Sequence, residues 1–179
     1  AREAGARLLG TTNMDALAYG FVTNNPEYGR ALHPMDAERL CGGSSGGSAA
    51  VVAAGLADFA LGTDTSGSIR VPSAFCGVPG YKPSAGIFSD KGVAPLSPTF
   101  DRPGVFARDV VTLSKVAHAI AGESLTRPTH CGPEGAFPPK IGLLGGYFSQ
   151  GEDPPIQESM LRFASQVGAR AGLRVSGAS

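Results

Sequence analysis

Apolar side chains recur at helical spacing in two stretches of the chain. Val110, Leu113, Ala117 and Ile120 fall on one face, and Gly122 ends the run, which predicts a helix over 110–121. Residues 156–167, from Ile156 to Val167, alternate apolar and charged positions with the same period and predict an amphipathic helix. Ala49–Ala54 is apolar throughout but built of small residues, so it reads as a helix packed closely against a neighbour, with Gly55 as its stop. Short uninterrupted apolar runs at Phe59-Ala60-Leu61-Gly62 and Lys140-Ile141-Gly142-Leu143-Leu144 predict buried strands. Residues 76–81 and 173–175 read as further short strands. Arg2–Leu9 reads as the last turns of a helix, Met14–Tyr19 as one or two helical turns, and a further turn or two starts at Ile69. Residues 23–40 have no period and are rich in turn formers, which predicts a surface loop, and Thr126–Pro139 is a Pro/Gly connector. Helices alternating with strands indicate an α/β fold with a mixed or substantially parallel sheet.

Composition narrows the function classes. Fifteen basic and fifteen acidic side chains cancel, so no charge excess directs the chain to nucleic acid or an anionic membrane. The longest apolar stretch, Ala49–Ala60, is interrupted by Gly55 and Asp58 and is too short to span a bilayer. No secretory leader is visible, and both ends look cut: Ala1 falls inside an expected helix without a cap. Cys41, Cys76 and Cys131 are odd in number and form no CxxC pair, which argues against a disulfide framework or zinc site and for a reducing, cytoplasmic setting. The 26 glycines and 14 prolines, in a chain that keeps its apolar periodicity, indicate many tight turns and close backbone approaches.

The densest chemical signal is Gly42-Gly43-Ser44-Ser45-Gly46-Gly47-Ser48. A phosphate-binding loop would place Lys and then Ser or Thr after the last glycine, whereas Ser48 and Ala49 stand there. A nucleophile elbow matches formally at Gly42-Gly43-Ser44-Ser45-Gly46, but it must follow a buried strand, and the preceding Asp36–Leu40 is polar and turn-like. Its histidine would have to be His118, inside an expected helix, or His130, inside the connector.

The third reading rests on a second motif. Gly62-Thr63-Asp64-Thr65-Ser66-Gly67-Ser68-Ile69-Arg70-Val71-Pro72 brings Ser68 in 24 positions after Ser44, with the Ala-rich helix between. Thr12-Asn13-Met14-Asp15 lies before the pair, and Phe75–Pro83 and Phe100-Asp101-Arg102-Pro103-Gly104 after it. On these residues, over nearly the whole chain, the sequence resembles the amidase signature family of serine amidohydrolases. The resemblance implies a mixed, largely parallel sheet flanked by helices, with residues 1–179 as the central portion of a single amidase domain truncated at both ends. It also implies Ser68 as nucleophile and Ser44 as a serine held by a cis peptide, which relays the proton to a neutral lysine. The oxyanion donors map to the amides of Thr65, Ser66, Gly67 and Ser68. Substrate contacts map to Gly42 and Gly43. Ser45, Asp64 and Arg70 are expected to support the site, with Asp64 and Arg70 pairing across the loop and Ser45 either joining the relay or capping the following helix. Lys82 matches a family lysine outside the catalytic position and is read as structural.

Two departures accompany the match. The family has Gly or Ala where Ser66 stands, which is tolerable if that residue's φ is negative, since only its amide is used. The relay lysine belongs upstream of residue 1, and none of Lys82, Lys91, Lys115 and Lys140 has a serine three positions earlier, so the 179 residues alone are expected to be inactive and to expose apolar surface. Asn13–Phe21 and Gly145-Gly146-Tyr147-Phe148 resemble the carboxybiuret hydrolase type, which acts on small ureido compounds and can work with a small helical partner protein. The glutamyl-tRNA amidotransferase A-type chain is a close rival, delivering ammonia. The resemblance implies no cofactor, no metal and no direct contact with nucleic acid or membrane, and is compatible with a homodimer. A reading from another class is a non-catalytic scaffold or assembly subunit.

Overall fold

The computed structural model describes residues 1–122, 125, 141–144, 150–151, 153–171 and 175–178, in two compact units, Ala1–Thr126 and Arg127–Ser179. Both units combine helices with strands, so the architecture is α/β.

The first unit contains β1 (Asn24–Asn25), β2 (Gly29–Arg30), α1 (Gly46–Ala53), β3 (Phe59–Asp64), α2 (Arg70–Cys76), β4 (Gly80–Tyr81), β5 (Arg102–Ala107) and α3 (Val110–Ala121). Its main sheet has the order β3-β5-β4 and is antiparallel throughout, with Phe59 opposite Ala107 and Asp64 opposite Arg102. The second unit contains β6 (Ile141–Leu144), α4 (Pro154–Ala171) and β7 (Val175–Ala178), with β6 and β7 parallel and joined through the helix. Strand sense is therefore mixed, antiparallel around the serine motifs and parallel in the later unit.

The strand β5 was not evident in the sequence. Pro103 removes an amide, and Gly104 contributes no side chain, so the segment lacks the apolar run of a central strand. The fold needs the glycine: a Cβ on Gly104 would collide with the Tyr81 carbonyl and lie 2.5 Å from Ile69 Cδ1, which leaves glycine as the residue that lets β4 approach. Val105, Phe106 and Ala107 then run fully buried through the core.

Elsewhere the helix expected over residues 2–9 is a single 3-10 turn, Arg2–Ala4, closed by Gly5 in the left-handed conformation. The strand expected over 76–81 shrinks to Gly80–Tyr81, because α2 runs on to Cys76 and ends on the left-handed Gly77. The loop over 23–40 carries a two-residue hairpin, β1–β2, whose turn is held by Asn25 Oδ1 accepting from the Glu27 and Tyr28 amides. Helix α1 starts three residues before Ala49, inside the Gly/Ser run. Helix α3 keeps its expected bounds, with Asp109 accepting from the Thr112 amide at its start. The connector over 126–139, with His130 and Cys131, lies outside the described residues, as do Lys140, Gly145–Phe148 and Leu173.

One core cluster joins Ala31, Cys41, Ala49, Val52, Ile69, Cys76 and Phe106, so α1 and α2 are packed on the same face of the sheet as the serine segments. Cys41 and Cys76 are free and buried. Burial, reinforced by the neighbouring Cys41, pushes the Cys76 thiol up to about 12. Leu17, Tyr19, Leu56 and Phe100 are large apolar residues left exposed in this unit. Among the described residues no helix is long and apolar enough to cross a membrane, and no cluster of potential metal ligands occurs.

Candidate active site

The two serine motifs meet at the N-terminal ends of α1 and α2. Chain reversal through β3 brings them together: α1 leaves the Gly/Ser run, β3 returns alongside it, and the turn after Asp64 delivers Ser68 beside Ser45. The Ser45 amide donates to the Ser68 carbonyl at 3.3 Å. Ser44 is fully buried and Ser68 nearly so. The Gly43–Ser44 peptide bond is cis.

The serines of the first motif have separate partners. Ser45 Oγ donates to the Thr63 carbonyl and accepts from the Thr63 amide, both at 3.2 Å, so it does not cap α1; it ties the loop to β3. Ser48 Oγ donates to the Leu61 carbonyl at 2.7 Å and lies 2.8 Å from Thr12 Oγ1. Ser44 Oγ has no hydrogen-bond partner among the described residues, and this extends to Ser68: the direct hydroxyl-to-hydroxyl bond is not formed. A buried hydroxyl with no partner is costly unless another group completes it. Catalytic hydrogen bonds also commonly tighten only when substrate is bound.

The second motif turns on Asp64, a buried carboxylate at the end of β3. It accepts from Arg70 Nε at 3.1 Å and Arg70 Nη2 at 3.0 Å, from Lys82 Nζ at 2.9 Å, and from the amides of Ile69 and Arg70 at 3.1 and 3.2 Å. Burial by itself would raise this carboxyl. The donors from Arg70, Lys82 and the two amides outweigh it and hold Asp64 well below the ordinary carboxylate range. Lys82 also donates to the Thr65 carbonyl at 2.9 Å, which commits it to the loop's framework.

Between these anchors the loop is open on its amide side. The amides of Ser66, Gly67 and Ser68 donate no hydrogen bond among the described residues. Gly67 has φ +152, a value that favours glycine, while Ser66 is exposed and its φ is not positive, so the serine in that place leaves the loop's path intact. Thr65 is held at its side chain, Oγ1 donating to Asp101, whose other oxygen accepts from the Leu96 and Ser97 amides at 2.8 Å each. A cleft lined by Thr63, Thr65, Leu96 and Asp101 lies behind this loop and does not include Ser44 or Ser68.

Sequence reasoning assigned no role to Asp15, Thr23 or Asp101, although Asp15 and Asp101 lie in the flanking matches. Asp15 is buried and accepts from the amides of Val22, Thr23 and Asn24, and Gly43 has no room for a side chain because Asp15 and the Phe21–Val22 backbone fill its place. Local pattern carries no sign of such long-range contacts.

A profile of the amidase family matches residues 1–176. The A-type chain of glutamyl-tRNA(Gln) amidotransferase from Methanospirillum hungatei JF-1 is 44% identical over 164 residues, covering 88% of this chain and 38% of that protein. AtzE of Pseudomonas sp. (strain ADP), which belongs to 1-carboxybiuret hydrolase, is 40% identical over 178 residues, covering 94% of this chain and 39% of that protein. A crystal structure of an amidase matches with a TM-score of 0.87 at 38% identity, over 99% of this chain and 39% of that one. The chain thus spans less than half the length of these relatives.

Proposed function

The chain belongs to the amidase signature family, and from that premise we propose that it forms the nucleophile-bearing part of an amidohydrolase acting on a small amide or ureido substrate. Ser68 Oγ attacks the substrate carbonyl and passes its proton to Ser44 Oγ, whose own proton moves to a lysine outside these 179 residues. The tetrahedral oxygen, now negative, takes hydrogen bonds from the amides of the Thr65–Ser68 turn. Removing one such donor typically costs about 3–4 kcal/mol of transition-state stabilisation. Collapse breaks the carbon–nitrogen bond, the relayed proton returns through Ser44 to the leaving amine, and water later releases the acyl group from Ser68. Gly42 and Gly43 present main chain to the substrate, and Ser45, Asp64 and Arg70 hold the two segments in place.

The observation that carries this reading is the backbone bond from Ser45 to Ser68 beside a buried Ser44 hydroxyl that lacks a partner among the described residues. It supplies adjacent serines, open amides and one vacant hydrogen-bonding position suited to an amine. Lys82 is occupied at Asp64 and Thr65, so the 179 residues by themselves are inactive on this scheme. The likeness to AtzE, a subunit of 1-carboxybiuret hydrolase, supports a ureido substrate and a partner protein.

The likeness to the amidotransferase chain supports a second reading, in which the same chemistry releases ammonia from an amide for use by a partner. The free, buried Cys41 and Cys76 support a reducing, cytoplasmic setting for either reading.

Labelling of the full-length gene product with a fluorophosphonate, read by intact mass, tests the common chemistry. One adduct that disappears in Ser68→Ala is expected. Folded full-length protein that takes no label would count strongly against the enzyme and favour the scaffold reading. Comparing turnover of glutamine with that of biuret-type compounds then separates the two enzymatic readings.

A further inference from the structure

Thr23 is fully buried, polar and β-branched, yet its φ is +51, a conformation that such residues rarely adopt. Its hydroxyl accounts for the conformation. Oγ1 donates its single proton chiefly to the Gly42 carbonyl at 2.8 Å, with the Ser44 carbonyl at 3.3 Å sharing it, and it accepts from the Gly46 amide at 2.9 Å. One side chain therefore grips the main chain on both sides of the Gly43–Ser44 unit. The left-handed turn at Thr23 also aims three successive amides, those of Val22, Thr23 and Asn24, at the Asp15 carboxylate, at 3.3, 2.9 and 3.1 Å. The Asp15 amide closes the circuit by donating to the Ser44 carbonyl at 3.0 Å. The Ser44 carbonyl thus accepts from the Asp15 amide and shares the Thr23 proton, while the Ser44 hydroxyl has no partner among the described residues, so the arrangement orients the peptide and leaves the side chain free.

We propose that Thr23 is a positioning residue: its hydroxyl, braced by Asp15, fixes the main chain of Ser44 so that the Ser44 hydroxyl is presented to Ser68 and to the proton acceptor. This rests on the reading of Ser68 and Ser44 given above. Packing alone would be served by valine, which has the same shape and the same branching; the hydroxyl is what the circuit requires. Thr23 acts through Ser44 and touches no reacting atom, so its removal slows the chemical step and leaves substrate binding in place.

The test uses the full-length gene product and a fluorophosphonate, with the inactivation rate constant and the probe's dissociation constant measured separately. Thr23→Val is expected to lower the rate constant about tenfold or more, a fraction of what general-base catalysis contributes, with the dissociation constant unchanged within about twofold. Thr23→Ser, which keeps the hydroxyl, is expected to stay within about threefold of the parent rate. A folded Thr23→Val protein that labels at the parent rate overturns the proposal, as does a Thr23→Ser protein slowed about tenfold, whether or not Thr23→Val accumulates. If the parent protein, folded, takes no label at Ser68, the nucleophile assignment itself fails and the role of Thr23 fails with it. Label that depends on Ser68 but not on the Thr23 hydroxyl refutes Thr23 alone.

Discussion

Arg70 meets the buried Asp64 carboxylate edge-on, Nε to Oδ2 at 3.1 Å and Nη2 to Oδ1 at 3.0 Å, and so closes the loop that carries Ser68. The two partners are not equivalent. Asp64 is inaccessible to solvent while the Arg70 side chain is 59% exposed, and Lys82 remains at the carboxylate when Arg70 is removed. Arg70→Ala should therefore cost only about 1 kcal/mol. Asp64→Ala removes the acceptor of five donors and should cost about 3 kcal/mol or more. Denaturant midpoints of the two variants check the order, and equal losses would contradict it.

The same carboxylate gives the stability a pH dependence of known sign. Its folded-state pKa lies below that of an unfolded aspartate, about 3.9, so its contribution is fully present above that value. It is lost as the pH falls toward the folded-state titration. Against the parent protein, Asp64→Asn should be less stable at neutral pH, with the gap narrowing steadily as the pH falls from about 4 to about 2. A constant gap in thermal midpoint across that range would show that Asp64 does not carry the effect.

At the proposed relay, Ser68→Ala should abolish fluorophosphonate labelling, and Ser44→Ala should slow it by about a hundredfold or more while leaving the site of modification unchanged. Labelling of Ser44→Ala at the parent rate would remove Ser44 from the proton path.

Gly46 sits where a side chain would strike Thr23, with Thr23 Cβ 2.9 Å from the position of an added Cβ. Thr23 is buried and bonded on three sides, so it has nowhere to move. Gly46→Ala should cost about 1–3 kcal/mol, the range for overpacking a core. Ser66→Gly, by contrast, alters an exposed side chain and keeps the amide, so its midpoint and labelling rate should match the parent.

Cys76, buried and with its thiol pushed up to about 12, should resist an aromatic disulfide reagent at pH 8 in the folded protein and react on denaturation. Rapid modification of Cys76 in the native state would contradict the packing of α2 on α1.

The sequence alone supplied the family, the paired motifs and most helices, because these depend on short-range features. A period of apolar residues, a glycine beside a serine and a fixed spacing between motifs survive in one dimension. It also set the expectation that Asp64 and Arg70 pair, since six positions along a tight turn allow few other arrangements. Strand β5 was illegible for a related reason: Gly104 is present for what it leaves room for, the Tyr81 backbone, and a missing side chain carries no periodic signal.

Tertiary structure alone decided what each hydroxyl in Gly42–Ser48 does. Three serines in a row of glycines look alike along the chain; folded, Ser45 and Ser48 are bound to β3, and the Ser44 hydroxyl is buried without a partner among the described residues. It likewise brought Asp15 and Thr23 against the same loop from about thirty and about twenty residues away. Hydrogen bonds between distant segments depend on where the backbone returns, which is set by the packing of α1, α2 and the sheet together.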